Sequence, residues 1–171
     1  ADIRILPGPP HRSPIPIYNA LDKIGWPFAT VDPKKIIGVV ETNEPDGIGA
    51  FSPADETSKK IAHNVVQFLL NEKAAGRIPK SFLPLQSGVG NIANAVMSDL
   101  GENPDVPPFS MYSEVFQDAL VDLMLNEKLT GASTTALTLS HDKLMTVYDN
   151  MDFFGQRVIL RPQEYSNNPG I

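Results

Sequence analysis

The 171-residue sequence contains no cysteine. That excludes a thiolate nucleophile, a disulfide framework and any cysteine-ligated zinc or iron–sulfur site. Basic clusters are scarce as well. None runs past Lys34-Lys35 or Lys59-Lys60, and the net charge is −6, so no nucleic-acid footprint is expected. No apolar run approaches the roughly 20 residues of a membrane span. The opening ADIRILPGPP has neither the basic end nor the apolar core of a signal peptide. The expectation is a soluble, cytoplasmic protein with neither a nucleic-acid nor a membrane partner. Histidine is also sparse: His11, His63 and His141 lie far apart without metal-ligand spacing, so no metal site is expected.

What is present suffices for one good-sized core or the junction of two smaller ones, since 42% of the residues are hydrophobic. The sixteen prolines are unevenly spread, and five of them fall in LPGPPHRSPIPIY, residues 6–18. Neither a helix nor a central strand tolerates that density, so an extended surface segment is expected. KIIGVVET, residues 35–42, is β-branched and nearly continuous, the pattern of a strand buried on both faces. NEPDGIGAFSP follows, rich in turn formers, and a domain boundary is placed there, dividing residues 1–50 from 51–171.

Ser52-Pro53-Ala54-Asp55 reads as a helix start, with Ser as cap, Pro in the first position and Asp as the capping-box acid. Ile61, Val65, Phe68 and Leu69 then recur at helical spacing until Gly76 and Pro79 stop the run. From there strands and helices alternate. SFLPLQ is a strand, GVGNIANAVMSDLG a turn and helix, and PFSMYS a strand. EVFQDALVDLMLNEK reads as a helix with Phe116, Leu120, Leu123 and Met124 on one face. ASTTALTLS is a strand, HDKLMTVYDNM a helix capped by Ser140, and QRVILRP a strand. Such alternation argues for an α/β fold with a mostly parallel sheet.

Ligands of parallel sheets bind beyond the carboxyl ends of the strands. Two candidate groups fall there, the glycine turn Gly88-Val89-Gly90-Asn91 and Glu114. Gly88-x-Gly90-x-x-Ala93 fits a dinucleotide-binding fingerprint, with Glu114 about where a ribose-binding carboxylate would stand, so an NAD-binding oxidoreductase module is one reading. A tight turn that merely lets the backbone pass is another. In a third, unpaired amides at the helix start face an anion or a developing oxyanion. Glu114 correspondingly has three readings: an acid favoured by a helix N-terminus, a ribose ligand, or a nucleophile. Other constellations are weaker. Ser140-His141-Asp142 has the letters of a triad, but adjacent residues cannot fold back into one. Asp118 and Asp122, one helical turn apart, read as a solvated helix face rather than a metal pair.

LPLQSGVGNIANAV, YSEVFQD and LRPQEYSNNPGI, with FSPADETSKKIA before them, resemble in order the acetyl-CoA hydrolase/CoA-transferase family, from about Lys35 onward. The resemblance implies a two-domain class I CoA-transferase fold, with residues 1–50 closing the first domain and residues 51–171 opening the second. It implies coenzyme A as a substrate, with acyl-CoA and a small carboxylate as partners, no metal or redox cofactor, and a homodimer for the full-length protein. A eukaryotic source would imply the mitochondrial matrix. By the family's motifs Glu114 is the nucleophile that becomes a glutamyl-CoA thioester. Val89, next to Gly90, supplies an oxyanion-hole amide, Asn167 is the active-site asparagine, and Gly88 and Asn91 are expected to bind CoA at the turn. The family's proteins are much longer, and their second glycine-rich segment does not occur here. The expectation is therefore a middle piece of such a protein, inactive alone.

Overall fold

Every strand pairing is parallel among the residues described by the computed structural model, 15–26, 28, 30–44, 54–168 and 171. Helix α1 (Glu56–Ala74) starts where Asp55 accepts the Ser58 N–H at 2.7 Å, and it ends before Gly76, whose φ is +70°. Asp55 is thus the cap itself rather than the capping-box acid, because its carboxylate satisfies an otherwise orphaned first-turn donor. Ser52 and Pro53 lie outside the described residues. The stripe that α1 buries is Ser58, Ala62 and Val66, and it packs on α2 (Asn91–Glu102). Ile61, Val65 and Phe68, expected inside, remain exposed.

Strand β1 (Phe109–Tyr112) follows, then β2 (Val115–Gln117), α3 (Asp118–Leu125), β3 (Leu129–Thr134) and β4 (Ala136–Thr138). Helices α4 (His141–Asp149) and α5 (Met151–Phe154), strand β5 (Val158–Leu160) and α6 (Gln163–Ser166) complete the order. One sheet runs β1-β3-β5, and a second pairs β2 with β4. The core gathers Val66, Leu100, Phe109, Met111, Phe116, Leu120, Val121, Leu129 and Phe154. A side chain such as Phe116, fully buried, contributes about 1.5–3 kcal/mol by leaving water.

Four expectations are corrected. Val115–Gln117 is strand, and the helix starts only at Asp118, because these three residues find the parallel partner Ala136–Thr138. The ASTTALTLS strand is broken at Thr135. Residues 35–42 form no strand, and Ile37, Val39 and Val40 are exposed, since no strand among the described residues pairs with them. SFLPLQ is reduced to one bridge: Leu85 pairs in parallel with Met111, its N–H on the Ser110 carbonyl and its carbonyl on the Tyr112 N–H, each 2.9 Å. That single bridge suffices to lay the glycine turn beside the end of β1. The turn-rich stretch carrying the expected domain boundary lies mostly outside the described residues, as do residues 6–14 with His11.

Candidate active site at the strand break

Glu114 sits where β1 gives way to β2, opposite the break at Thr135 between β3 and β4. Its backbone carbonyl accepts from the Thr135 N–H (2.8 Å), the Ala136 N–H (3.2 Å) and the Thr134 hydroxyl (2.8 Å). Three donors on one carbonyl fix the main chain at this residue. The side chain, by contrast, is exposed, and its Oε1 accepts from Gln163 Nε2 at 3.3 Å. The reading of Glu114 as a helix N-terminal acid fails, because α3 begins four residues later behind Gln117.

The glycine turn is held next to it. Ser113 donates its hydroxyl to the Ser87 carbonyl (2.8 Å) and accepts the Ser87 N–H (3.3 Å), with both serines buried. Three residues past Glu114, the Gln117 carboxamide donates to the Gly88 carbonyl at 2.8 Å. Gly90, with φ 129° and ψ 173°, occupies backbone space that only glycine enters readily, and it forms the N-cap of α2 without a side-chain cap. Among the described residues neither the Val89 nor the Gly90 N–H has a hydrogen-bond acceptor. Val89 and Asn91 are exposed. Exposed amides at an uncapped helix start carry partial positive charge suited to an anion or oxyanion.

Asn167 closes α6, which opens with Gln163, and its N–H bonds the Gln163 carbonyl at 2.9 Å. Its side chain is exposed, and Gln163 rather than Asn167 touches the Glu114 carboxylate. The structure thus brings the three motif segments to one edge of the sheet. Sequence reasoning missed Gln117 and Gln163 although both stand inside quoted motifs, YSEVFQD and LRPQEYSNNPGI.

It also missed Arg161. Buried at 5% exposure, this residue donates Nε to Ser133 Oγ (2.6 Å) and Nη2 to the Ala20 carbonyl (3.0 Å) and the Asp22 carbonyl. Burial pulls its guanidinium below its ordinary value, with Tyr112 and Asp22 acting weakly in the opposite sense. It nonetheless stays charged at neutral pH. Residues 15–22 are tied by it to the carboxyl edge, where Ile15 and Ile17 pack on Tyr165.

The remaining candidates resolve into ordinary roles. Ser140 holds the N-cap position of α4 without a side-chain cap bond, and its N–H goes to Asp118 (2.8 Å). Asp118 is therefore a partner of α4's start rather than only solvated, and Asp122 pairs with Lys143. His63 is exposed on α1, 3.8 Å from Asp99. Among the described residues no group of three His, Cys, Asp or Glu could hold a metal, and no helix is long and apolar enough to cross a membrane.

An exposed carboxylate on a pinned backbone, with unpaired helix-start amides on the turn linked to its neighbours, is chemically able to support acyl transfer. Sequence comparison narrows it. The chain is 55% identical over 171 residues to the propanoyl-CoA:succinate CoA transferase of Escherichia coli, matching all of this chain and 35% of that protein. It is 45% identical over 170 residues to the acetyl-CoA hydrolase of Schizosaccharomyces pombe, covering 99% of this chain and 32% of the relative. To the succinyl-CoA:acetate CoA-transferase of Clostridium kluyveri it is 40% identical over 171 residues, 100% of this chain and 32% of the relative. No protein-family model matches. The chain's sequence relatives are thus CoA-transferases and acetyl-CoA hydrolases, and it spans about a third of the length of the curated relatives it matches. The nicotinamide reading finds no support.

Proposed function

We propose that the intact protein moves CoA from an acyl-CoA to a small carboxylate through a thioester on Glu114. The names of the relatives support propanoyl-CoA or succinyl-CoA as the donor class, and succinate or acetate as the acceptor. A Glu114 oxygen attacks the thioester carbonyl, the C–S bond breaks, and CoA leaves as thiolate, giving an acyl-glutamyl anhydride. The thiolate then attacks the glutamyl carbonyl, releasing the donor acid as carboxylate and leaving glutamyl-CoA. The acceptor carboxylate reverses both steps. Water in its place gives hydrolysis, the reaction in the name of the fission-yeast relative. Electrons and protons balance without a metal or redox group.

A carboxylate is a weak nucleophile in water, so the rate rests on holding it against the bound thioester. It rests equally on donors aimed at the charge that develops on the carbonyl oxygen. Val89 and Gly90 are assigned that second task, with Gly88 and Asn91 shaping the turn for the CoA moiety. Gln163 orients one Glu114 oxygen so that the other is free to attack, and Asn167 attends the acyl group from the end of α6. Residues 1–50 would close one domain and 51–171 open the next, in a homodimer of the cytoplasm or mitochondrial matrix. The observation that supports this reading most directly is the pair of links flanking Glu114, Ser113 to Ser87 and Gln117 to Gly88. The test is CoA transfer from propanoyl-CoA or acetyl-CoA to succinate by the intact protein, beside its Glu114→Ala variant. Turnover in the parent and its loss in the variant are expected; equal turnover in both would refute the assignment.

A further inference from the structure

We infer that Gln117 is a positioning residue, which sets the direction of the Val89 N–H by holding the other face of the same peptide group. The inference rests on the acyl-transfer reading above and adds to it a residue that never meets the substrate.

The Gly88 carbonyl and the Val89 N–H belong to one planar trans peptide, so they point in opposite directions. Gln117 Nε2 holds that carbonyl at 2.8 Å, and the Ser87 hydroxyl adds a longer bond of 3.3 Å. Gln117 is buried, at 4% exposure, whereas Val89 is 66% exposed. Fixing the carbonyl on the buried side therefore sends the N–H outward. Packing does not do this work. A Cβ built at Gly88 or Gly90 would meet nothing within 4 Å, so no neighbouring atoms wedge the turn in place. A peptide following a glycine flips at low cost, because glycine tolerates both signs of φ. Hydrogen bonds are what remain to select one orientation, and Gln117 makes the shorter of the two on this carbonyl.

The same side chain carries a cost. Gln117 Oε1 is buried and has no hydrogen-bond partner among the described residues. An orphaned buried acceptor is destabilising, and an apolar side chain of equal volume is free of that penalty. Stability alone would favour Met or Leu here, because the Gly88 residue is exposed and its carbonyl can turn to water instead. That turn would carry the Val89 N–H away from the oxyanion.

Two readouts therefore move in opposite directions. In the intact protein, Gln117→Met and Gln117→Leu should melt at or above the parent temperature. Their kcat for CoA transfer should fall about a hundredfold, the lower end of what loss of one oxyanion donor costs. KM for the acyl-CoA should stay within about threefold, because the lost interaction forms only in the transition state. Parent-like kcat in both variants would overturn the inference, and so would a rate loss that tracks a lower melting temperature or failure to fold. Adduct formation on Glu114 in the parent is measured alongside. Its absence there would overturn the acyl-transfer reading itself, whereas its presence with unaffected variants would overturn only the role of Gln117.

Discussion

The Tyr112 hydroxyl donates to the Tyr165 backbone carbonyl at 2.9 Å, a bond between residues 53 apart in sequence. Tyr112 stands two residues before Glu114, and Tyr165 two before Asn167, so this bond sets the spacing of two segments of the site. Burial holds the Tyr112 phenol above its ordinary range, against a weaker opposite pull from Arg161, so the hydroxyl keeps its proton. Tyr112→Phe should cost about 1 kcal/mol of stability, the typical net value of one hydrogen bond. It should also slow CoA transfer by up to about tenfold through loosening of α6. Thermal melts and initial rates on the intact protein check both; an unchanged rate would separate α6 from the reaction.

Arg161 supports a different prediction. Its donors reach across 141 residues to Ala20 and 28 residues to Ser133. A Cβ placed on Gly131 would come within 2.8 Å of Leu21 Cδ1, so Leu21 lies close on β3. Arg161→Met removes the donors but keeps much of the volume. The expected loss is about 2–3 kcal/mol, from three bonds at about 1 kcal/mol each. Limited proteolysis should then cut within residues 15–24 faster than it does in the parent. A protease-resistant variant with parent stability would contradict the tie.

Much of the fold was legible because its signals are local. Helical spacing located α1, α2 and α4, and the glycine turn announced the start of α2. The failures share a physical cause, dependence on partners distant in sequence. Val115 and Phe116 fit the helical spacing of Leu120 and Leu123, and only the non-local pairing with Ala136–Thr138 makes them strand. The same ambiguity misread residues 35–42, since a β-branched run reads as buried whether or not a neighbour covers it. Glu114 and the glycine turn were visible as residue types at strand ends. Gln117 and Gln163 were not, because a glutamine acquires meaning only from what it touches, here Gly88 and Glu114.

Acid should weaken the fold through carboxylates that accept backbone or arginine hydrogen bonds. Asp55 is held below its ordinary value chiefly by the Ser58 N–H, Asp22 by those of Tyr18 and Asn19, and Glu72 by Arg77. For groups with depressed folded values, the stabilisation is complete above the unfolded value, about pH 4. It is lost as pH falls through the folded value. Asp55→Asn keeps a capping side chain without the charge. The stability difference between parent and Asp55→Asn should therefore be greatest near neutral pH and vanish in strong acid. Urea melts across that range check it, and a difference independent of pH would contradict the assignment.

The central claim is a covalent bond to Glu114, and trapping it is the most direct measurement. The intact protein is incubated with propanoyl-CoA or acetyl-CoA, treated with borohydride, digested and mapped by mass spectrometry. A CoA-dependent reduction of the Glu114 side chain to its alcohol is expected, on the peptide carrying Tyr112-Ser113-Glu114-Val115. No such product should form in Glu114→Ala or when CoA esters are omitted. Sustained CoA transfer with an unmodified Glu114 peptide, or modification at a different residue, would contradict it.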